Sequence, residues 1–564
     1  MSVRRALAVV VVCVLVTPAV AAGAGAGPVA DSWSTVPSST GPDALSRAPP
    51  SPENESGPSV ATVYPNPVVD GDVGEYVTLR FPARTDVEGW TLGDGETTVS
   101  LPNRTVSGVV LVAANVTAAT GLAASTASGD PSNATVVAAS GLSLSNAGEA
   151  LVLANASGGT VDAARYGDAP EGERFVDGAF RPLGATDHAP ATTTDVAARA
   201  FLTPDVAVPL EPIRTATDSV ELAGYTFASE RVAVALERAA ARGVDVRVIV
   251  DESPVGGITP RQRQVLDDLA ASGVAVRALG GGRARYDYHH AKYLVADNTA
   301  VVLTENWKPS GTGGHANRGW GVVLRDPDTA SGLRRVFDGD WRAPDARNWT
   351  AVAVDATGPT EPPANATYPT RVRSRNVTAD AVTVLTAPDN AERALVSRLR
   401  NATDRVRVLQ MTAARDGVLV RETIAAARRG VDVRILLSSA WYAREENQAV
   451  VDALNAAADR ESLPLDARLV DPGNRFQKVH AKGVVVDDSV VLGSINWNDH
   501  SLRENREVAV ALHGDAVADY YADGFDRDWQ GGTSTPIPSW LAAATAVAVL
   551  VLLALLARRI HFEN

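Results

Sequence analysis

Two stretches of the sequence carry a histidine, a lysine and an aspartate at one fixed spacing, His-x-Lys-x-x-x-x-Asp. The residues of the two copies are His290, Lys292 and Asp297, and His480, Lys482 and Asp487. Alternate side chains of a strand lie on one face, so each histidine is predicted to point the same way as its lysine. An imidazole beside an ammonium group is suited to binding an anionic tetrahedral group such as a phosphate.

Each motif continues through a turn into a second apolar run that ends in a hydroxyl residue and, two positions later, an asparagine. These residues are Thr304 and Asn306 in the first copy and Ser494 and Asn496 in the second. Turn-forming residues between two valine-rich runs predict a hairpin, centred near Asn298 in one copy and Asp488 in the other. That centre would place each asparagine opposite the histidine and each hydroxyl opposite the lysine. The four polar groups of a copy would then share one face.

Lysine is used sparingly in this chain. Only four lysines occur, at positions 292, 308, 478 and 482, and the remaining 48 of the 52 basic residues are arginines. Two of the four lysines therefore occupy the His-x-Lys position. Lysine carries a compact, rotatable charge, which suits contact with a phosphate oxygen.

The composition limits the class of protein. A chain of 564 residues is long enough for several domains, each with its own core. The net charge of -14 argues against a nucleic-acid binder with a basic surface overall, although a local basic cleft remains open. The one cysteine, Cys13, lies in an N-terminal apolar run, which excludes a disulfide framework and a cysteine metal site.

The two motifs lie at equivalent places in a repeat. In each copy a helical segment is followed by an apolar strand, at residues 231–250 in the first copy and 420–437 in the second. The pattern predicts one α/β unit present twice, with helices flanking largely buried strands. The predicted segments are a first half at residues 206–342, a Pro-, Ala- and Thr-rich linker at 343–380 and a second half at 381–530.

Two complete motifs in equivalent positions of a duplicated domain resemble the phospholipase D superfamily. The resemblance covers roughly residues 206–530 and is closer in the second copy. It implies two pseudo-symmetric α/β/α halves that pack about a pseudo-twofold axis and bring both motifs to one active site. The implied activity is hydrolysis of a phosphodiester, without a catalytic metal or another cofactor.

The residue types fit a two-step reaction. A neutral imidazole can attack phosphorus to form a phosphohistidine, and a protonated second imidazole can give its proton to the leaving oxygen. By the family's usual order His290 would be the nucleophile and His480 the general acid, although pseudo-symmetry leaves that order open. The lysines and asparagines are predicted to hold the non-bridging oxygens. Asp297 and Asp487 are expected to orient and charge-balance the site, with a role as plain turn residues equally open.

The two copies depart from the family pattern in different ways. Members of the family often carry an acidic residue, beyond the asparagine, that helps to orient a histidine. The second copy offers Glu507 in Asn-Arg-Glu, whereas the first copy has Asn-Arg-Gly and ends in Gly319. The first copy also lacks the Gly-Ser step of the second. The first half-site is therefore expected to be weaker or specialised.

The N-terminal region is predicted to be exported and to form a separate β domain. Residues 1–21 have the basic start, apolar core and Ala-x-Ala end of a signal peptide, and residues 22–57 are predicted to be a disordered linker. Short strands separated by turns predict a β-sandwich at residues 58–168, followed by a linker at 169–205. The sandwich resembles the immunoglobulin-like lamin-tail domain. The segments that carry this likeness are residues 63–67, 74–77, 89–95, 142–148 and 161–167.

The C-terminal region is predicted to anchor the chain in a membrane. Residues 537–557 are apolar and long enough to span a bilayer. Arginines 558 and 559 follow directly, so the positive-inside rule places the tail at 558–564 in the cytoplasm and everything before the helix outside the cell. The signal peptide would be removed from the mature protein.

Three functions from different classes remain open. The first is a cell-surface phosphodiesterase, for which the predicted membrane location favours a phospholipid substrate. The second is an extracellular endonuclease of the same superfamily, suggested by basic residues just before the motifs. These residues are Arg283, Arg285, Arg475 and Lys478. The third is a non-catalytic surface binding protein, suggested by the weaker first copy. No protein partner is identifiable from the sequence.

Overall fold

The computed structural model describes residues 57–69, 71, 73–124, 134–186, 188–352, 355–359, 364–368 and 370–531. The predicted signal peptide, nearly all of the predicted linker at 22–57, the predicted span at 537–557 and the tail at 558–564 lie outside these residues. Within the described part of the chain, no helix has the length and apolar character needed to cross a bilayer. The membrane anchor therefore stays a prediction from the sequence.

The N-terminal region consists of two β-sheets around one hydrophobic core. Its strands are β1 (Ser59–Tyr64), β2 (Tyr76–Asp86), β3 (Thr91–Gly93), β4 (Thr98–Ser100), β5 (Thr105–Ala113), β6 (Thr135–Ala138), β7 (Glu149–Ala154), β8 (Thr160–Tyr166), β9 (Glu173–Val176) and β10 (Ala179–Pro182), and its helix is α1 (Val116–Ala124). One sheet has the order β10-β9-β1-β2-β5-β6 and the other β4-β3-β7-β8. Leu79 and Leu153 come from different sheets and lie in the same core. The immunoglobulin-like topology stays a prediction.

The rest of the chain forms one mixed sheet of fifteen strands. Its strands are β11 (Ala191–Thr203), β12 (Ser219–Gly224), β13 (Asp245–Asp251), β14 (Ala275–Leu279), β15 (Lys292–Ala296), β16 (Thr299–Leu303), β17 (Gly319–Arg325), β18 (Ala346–Asn348), β19 (Arg375–Ala387), β20 (Arg405–Gln410), β21 (Asp432–Leu437), β22 (Leu465–Leu469), β23 (Lys482–Val486), β24 (Ser489–Gly493) and β25 (Glu507–His513). The order is β18-β14-β13-β12-β15-β16-β17-β11-β19-β25-β24-β23-β20-β21-β22. Read outward from the central pair β11 and β19, the two sides repeat the same order, so the predicted duplication is confirmed.

Helices cover the faces of this sheet. They are α2 (Glu211–Thr215), α3 (Glu230–Ala241), α4 (Pro260–Ala271), α5 (Pro309–Thr312), α6 (Pro327–Arg342), α7 (Ala391–Asn401), α8 (Val418–Arg428), α9 (Arg444–Glu461), α10 (Asp499–Arg503) and α11 (Asp515–Gly531), with short 3-10 turns at Gly281–Arg283 and Trp349–Ala351. The hairpin strands β15 and β23 are buried along their whole length. Strands with both faces covered read as continuous apolar runs, which is the pattern of these motif strands.

Both predicted linkers contain ordered strands. Residues 169–205 include β9, β10 and the whole of β11, and residues 343–380 include β18 and the start of β19. Strands β11 and β19 pair antiparallel from Ala191 opposite Val384 to Ala200 opposite Arg375, and this pairing joins the halves into one sheet. The prediction of loops was wrong because β11 is rich in Thr and Ala, which carry little hydrophobic pattern even though its final residues are buried.

Candidate active site

The two motif histidines lie just before their strands and are held by the opposite half. Strands β15 and β23 begin at the lysines, so each histidine precedes its strand by two residues. The backbone N–H of His290 donates to the carbonyl of Arg506 at 2.9 Å, and that of His480 donates to the carbonyl of Arg318 at 2.9 Å. Arg506 and Arg318 in turn donate their N–H groups to Tyr288 and Lys478, at 2.9 and 2.8 Å. The halves thus meet through two equivalent backbone ladders, one at each histidine.

The hairpin register differs by one residue from the prediction. Ala296 pairs with Thr299, and Val486 pairs with Ser489, so each turn has two residues. The first turn residue in each copy, Asp297 or Asp487, has a positive φ of 49° or 51°. Aspartate is among the residues that adopt this left-handed conformation most readily, which permits the tight turn. A one-residue shift moves every side chain to the other face, so the predicted opposite pairs do not form.

His290 is hydrogen-bonded to a carboxylate of the other half. Its Nδ1 lies 2.8 and 2.9 Å from the two carboxylate oxygens of Glu507. Glu507 is fully buried, and Asn505 donates to its Oε1 at 3.2 Å. A carboxylate can only accept, so Nδ1 of His290 carries the hydrogen and Nε2 is left as the reactive nitrogen. The prediction that Glu507 orients a histidine agrees with this geometry.

His480 has a matching partner that the sequence reading missed. Its Nδ1 lies 3.1 Å from the carbonyl oxygen of Thr304 and 3.7 Å from Oε2 of Glu305. Glu305 is buried, and Asn317 donates to its Oε2 at 3.0 Å, as Asn505 does to Glu507. A carbonyl can only accept, so the shorter of the contacts of Nδ1, at 3.1 Å, favours the tautomer with the hydrogen on Nδ1 and Nε2 free, whereas the ammonium of Lys482 at 3.3 Å favours the opposite one. Each histidine therefore has a buried acid from the opposite half beside it.

The acid of the first half comes from a different sequence position. Glu507 lies at the start of β25, and the equivalent residue at the start of β17 is Gly319. A Cβ atom at Gly319 would lie 2.4 Å from Cγ of Glu305, so the glutamate occupies the space that the glycine leaves. The second copy has Ile495 where the first has Glu305. The expectation of a first half without an acid was therefore wrong. The sequence did carry a signal for this acid. It was a glutamate directly before the motif asparagine, together with a glycine in place of the acid in Asn-Arg-Gly.

Both motif lysines point at the backbone of their own histidines. Lys482 Nζ donates to the carbonyl of His480 at 2.9 Å and lies 3.3 Å from its Nδ1, while Lys292 Nζ donates to the carbonyl of His290. Burial lowers the pKa of Lys482 to about 8 and lowers the pKa of Lys292 well below its ordinary value. The two lysine side chains and the two imidazoles gather nitrogen hydrogen-bonding groups in one place, which suits an anion.

Burial also sets the protonation of the acids and imidazoles. It lowers the pKa of His290 to about 4, with the nearby lysines adding to the effect and Glu507 opposing it. The pKa of His480 is likewise held well below its ordinary value. Burial raises the pKa of Glu305 to about 7, whereas contacts with His290 outweigh burial and hold the pKa of Glu507 below its ordinary value. Near neutral pH both imidazoles are therefore neutral, the form in which the ring nitrogen can attack phosphorus.

The motif asparagines and the motif hydroxyls differ in their hydrogen bonding. Among the described residues, Oδ1 of Asn306 and Oδ1 of Asn496 are buried without a hydrogen-bond partner, so both amides are free to turn towards a ligand. The hydroxyl of Thr304 instead accepts the N–H of Trp320 at 2.9 Å. The hydroxyl of Ser494 accepts the N–H of Val508 at 2.9 Å. Both hydroxyls thus bind the neighbouring strand, and their contact with phosphate stays a prediction.

The motif aspartates lie away from the histidines. Asp297 accepts the backbone N–H groups of Thr217, Asp218 and Ser219 at 2.9 to 3.0 Å. Asp487 accepts the equivalent N–H groups that open β20, at 2.9 to 3.0 Å. Strand β15 separates Asp297 from Lys292 by five residues, roughly 16 Å of extended chain. The expectation that these aspartates charge-balance the site is therefore corrected: they fix the turn to the start of a neighbouring strand.

Two of the four basic residues considered for nucleic-acid contact are buried in ion pairs. Arg285 lies 3.0 Å from Asp345, and Arg475 lies 3.1 Å from Asp528. Both arginines are almost fully buried. Arg283 remains exposed, and Lys478 is half-buried. The basic run before each motif is thus largely structural.

One group of side chains in the described residues has the composition of a metal site. It consists of Asp287, His500 and Glu504. Glu504 lies 2.5 Å from Nδ1 of His500, and Asp287 lies 3.0 Å from Nε2. These contacts raise the pKa of His500 to about 10, so the imidazole is charged and paired with both carboxylates. The group is better described as an ion-pair cluster.

Comparison with known proteins gives one match in each half. The family model described as "Cardiolipin synthase, PLD-like domain" matches residues 210–341 and 395–529. Each half of the chain is thus similar to a phospholipase-D-like domain. No curated protein matches the chain.

Several solved structures resemble parts of the chain. Phosphatidylserine synthase from Haemophilus influenzae Rd KW20 is 12% identical, with a TM-score of 0.42, and the match covers 62% of this chain and 92% of that one. The phospholipase D family member Nuc from Salmonella typhimurium is 24% identical, with a TM-score of 0.22, and the match covers 27% of this chain and 95% of that one.

Proposed function

We propose, from the phospholipase-D-like character of both halves, that the chain is a phosphodiesterase that works through a phosphohistidine. The observation that carries this proposal is the symmetric pair of histidines, each with Nδ1 directed at acceptors of the opposite half and Nε2 free. A buried carboxylate fixes the ring and stabilises the charge that the ring gains during the reaction. The arrangement thus supplies two reactive nitrogens in a positive, largely buried site.

His290 is the nucleophile in this proposal. Its Nε2 attacks phosphorus, and the bond from phosphorus to the leaving oxygen breaks. Glu507 is held ionised by its contacts with His290, so it stabilises the positive ring that forms when the N–P bond is made. The contact between His290 and Glu507, at 2.8 Å, is shorter than the contact between His480 and Glu305, at 3.7 Å.

His480 is the general acid, with Glu305 as its positioning residue. Burial raises the pKa of Glu305 to about 7, so the pair of His480 and Glu305 retains an exchangeable proton up to neutral pH. Binding of an anionic phosphate favours the imidazolium form, which places that proton on His480. His480 gives the proton to the leaving oxygen and then takes one from water. That water attacks phosphorus, and the N–P bond breaks.

Lys292, Lys482, Asn306 and Asn496 hold the non-bridging oxygens in this mechanism. The two lysines bring N–H donors to the site, and Oδ1 of each asparagine has no partner among the described residues, so each amide can turn its NH2 group towards an oxygen. An anion would replace the backbone carbonyls that the lysines contact in this structure. These contacts strengthen as charge builds on the phosphoryl oxygens.

A phospholipid is the substrate we favour. The buried ion pairs of Arg285 and Arg475 weaken the case for an endonuclease, and the net charge of -14 opposes a polyanion. The case for a non-catalytic protein rested on the weaker first copy, which lacks the Gly-Ser step and the acid after Asn-Arg, and Glu305 supplies an acid there. We further propose a cell-surface protein with an extracellular catalytic region, held by the predicted span at 537–557 and preceded by the lamin-tail-like β region.

The test uses the full chain in high salt with three substrates: a choline-headgroup phospholipid, plasmid DNA and bis(4-nitrophenyl) phosphate. We expect turnover of the lipid and the small diester. His290→Ala should abolish both activities. His480→Ala should release one equivalent of nitrophenol in a burst and retain a phosphohistidine, because nitrophenol leaves without a general acid. Full activity of His480→Ala would overturn the mechanism, and cleavage of DNA without lipid would favour the endonuclease.

A further inference from the structure

Large exposed apolar side chains are concentrated in two equivalent loops. The large apolar side chains exposed among the described residues are Val234, Val255, Trp441 and Tyr442. Val255 follows β13 in the first half, and Trp441 and Tyr442 follow β21 in the second. Trp441 is 89% exposed and Val255 is 75% exposed. A tryptophan exposed to this degree is unusual unless it meets a partner, because large aromatic side chains are normally mostly buried.

Both loops border the histidines. The backbone N–H of Val255 donates to the hydroxyl of Tyr225 at 2.5 Å, and the ring of Tyr225 lies 4.7 Å from the ring of His290. In the second half, Lys478 lies two residues before His480, and its Nζ is 4.9 Å from the ring centre of Tyr442. Each of the two loops therefore contacts a residue that lies close to one of the histidines, in space or in sequence.

The second loop is also close to where the described chain ends. Helix α11 ends at Gly531, which packs against the guanidinium of Arg475. The same guanidinium lies 3.1 Å from Asp528. Arg475 is three residues from Lys478, a separation of at most roughly 11 Å, and Lys478 contacts Tyr442. The chain thus leaves the last helix beside the segment that leads to His480.

Only residues 532–536 separate this helix from the predicted membrane span. Five residues extend over at most roughly 18 Å. A span that begins at residue 537 would therefore hold the end of α11, and the loop with Trp441 near it, close to the bilayer surface. The exposed loop and the end of α11 lie at the same part of the second half.

We propose that the loops with Val255, Trp441 and Tyr442 contact the lipid bilayer and that the substrate is a phospholipid taken from that surface. This inference rests on the proposed phosphodiesterase function. Tryptophan and tyrosine favour the interface between headgroups and acyl chains, where an apolar ring and a polar tip are both accommodated. Val255 is aliphatic and gives no stacking surface for a base, so the set fits a lipid surface better than a nucleic acid.

The experiment compares two substrates with the full chain in phosphatidylcholine vesicles. Trp441→Ala and Val255→Asp should each lower the rate on vesicle phospholipid by about tenfold, because a lipid contact is lost. The rate on soluble bis(4-nitrophenyl) phosphate should stay at the wild-type value, since neither side chain reaches the histidines. Val234→Asp is the matched control, because Val234 is also exposed but lies on α3, and it should leave both rates unchanged.

A binding measurement separates this inference from the proposed function. Lipids with brominated acyl chains quench tryptophan emission at short range. The quenched fraction should be larger for the wild type than for Trp441→Phe, including in a His480→Ala background without turnover. Equal quenching in both proteins would overturn the lipid contact even if the enzyme hydrolyses diesters. Unchanged lipid turnover in Trp441→Ala with reduced cleavage of DNA would also overturn it and indicate stacking on bases.

Discussion

Glu305 and Gly319 share one space at the interface of the halves. A Cβ atom at position 319 would lie 2.4 Å from Cγ of Glu305, closer than two carbon atoms can approach. In the second half the acid is on the strand, as Glu507, and the loop position holds Ile495. The two halves thus place a carboxylate beside the opposite histidine from two different sequence positions. A side chain at one of these positions takes the space that the acid at the other position needs.

This exclusion predicts that the acid can be moved. Glu305→Gln should lower kcat by about 100-fold, the scale of general acid catalysis. Gly319→Glu alone should also be nearly inactive, because two glutamates cannot occupy the space. The double variant Glu305→Ile, Gly319→Glu copies the second half and should recover activity to within about tenfold of the wild type, a strong non-additive coupling. The measurement is kcat on bis(4-nitrophenyl) phosphate and on a diester with a poor leaving group.

Comparison of the two diesters, which differ in their leaving groups, is the control for the Glu305 and Gly319 substitutions. A proton donor matters little for nitrophenol, so Glu305→Gln should be far more damaging on the poor leaving group. An equal loss on both substrates, with no recovery in the double variant, would mean that Glu305 is only a packing residue.

The pH dependence of the reaction should report the pair of Glu305 and His480. Burial raises the pKa of Glu305 to about 7, so the pair loses its exchangeable proton as the pH rises through about 7. The rate on a diester with a poor leaving group should therefore fall above that pH. In Glu305→Gln the proton can reside only on His480, whose pKa lies well below its ordinary value, so the fall should move to lower pH. Rate profiles from pH 4 to pH 9 check this, and an unmoved limb would contradict it.

Much of the site could be predicted because its signals are local. The spacing from His480 to Lys482, its repetition in the first half and the acid at Glu507 all lie within short segments. The register could not be predicted from hydrophobic pattern alone, because it depends on the left-handed conformation of Asp297 and Asp487. A two-residue turn and a three-residue turn leave the same apolar runs on each side.

The missed parts depend on contacts between distant segments. Glu305 is beside His480 only because the halves pack together, and the two residues are 175 positions apart. The same holds for β11, whose pairing with β19 defines the centre of the sheet but whose Thr- and Ala-rich sequence resembles a loop. Pattern within one segment carries no information about such partners.

The motif aspartates should matter for stability and not for turnover. Burial alone would raise the pKa of Asp487, but three backbone N–H donors outweigh it and hold the pKa below the ordinary 3.8. A depressed folded pKa contributes stability that is present above the unfolded pKa and is lost as the pH falls through the folded one. Asp487→Ala should therefore lower the free energy of unfolding at pH 7 by about 1–3 kcal/mol and leave kcat unchanged. Urea unfolding measures the change in stability, and a kinetic assay measures kcat. A fall in kcat without a loss of stability would mean that Asp487 acts in the catalytic site.

The buried ion pairs of Arg506, whose backbone carbonyl binds His290, should be the structural contacts most sensitive to substitution. Arg506 is fully buried, lies 3.1 Å from Asp340 and 2.9 Å from Asp389, and its carbonyl accepts the N–H of His290. Asp340→Asn would leave part of its charge uncompensated, which costs about 3–5 kcal/mol for a buried pair. Asp338→Asn on the same helix is the matched control, because its partners Arg247 and Arg342 are partly exposed, and it should cost about 1 kcal/mol or less. Equal losses in urea unfolding would show that burial of the ion pair does not decide the cost, whereas the expected gap ties stability to the buried cluster in which Asp340 binds Arg506 and Arg285.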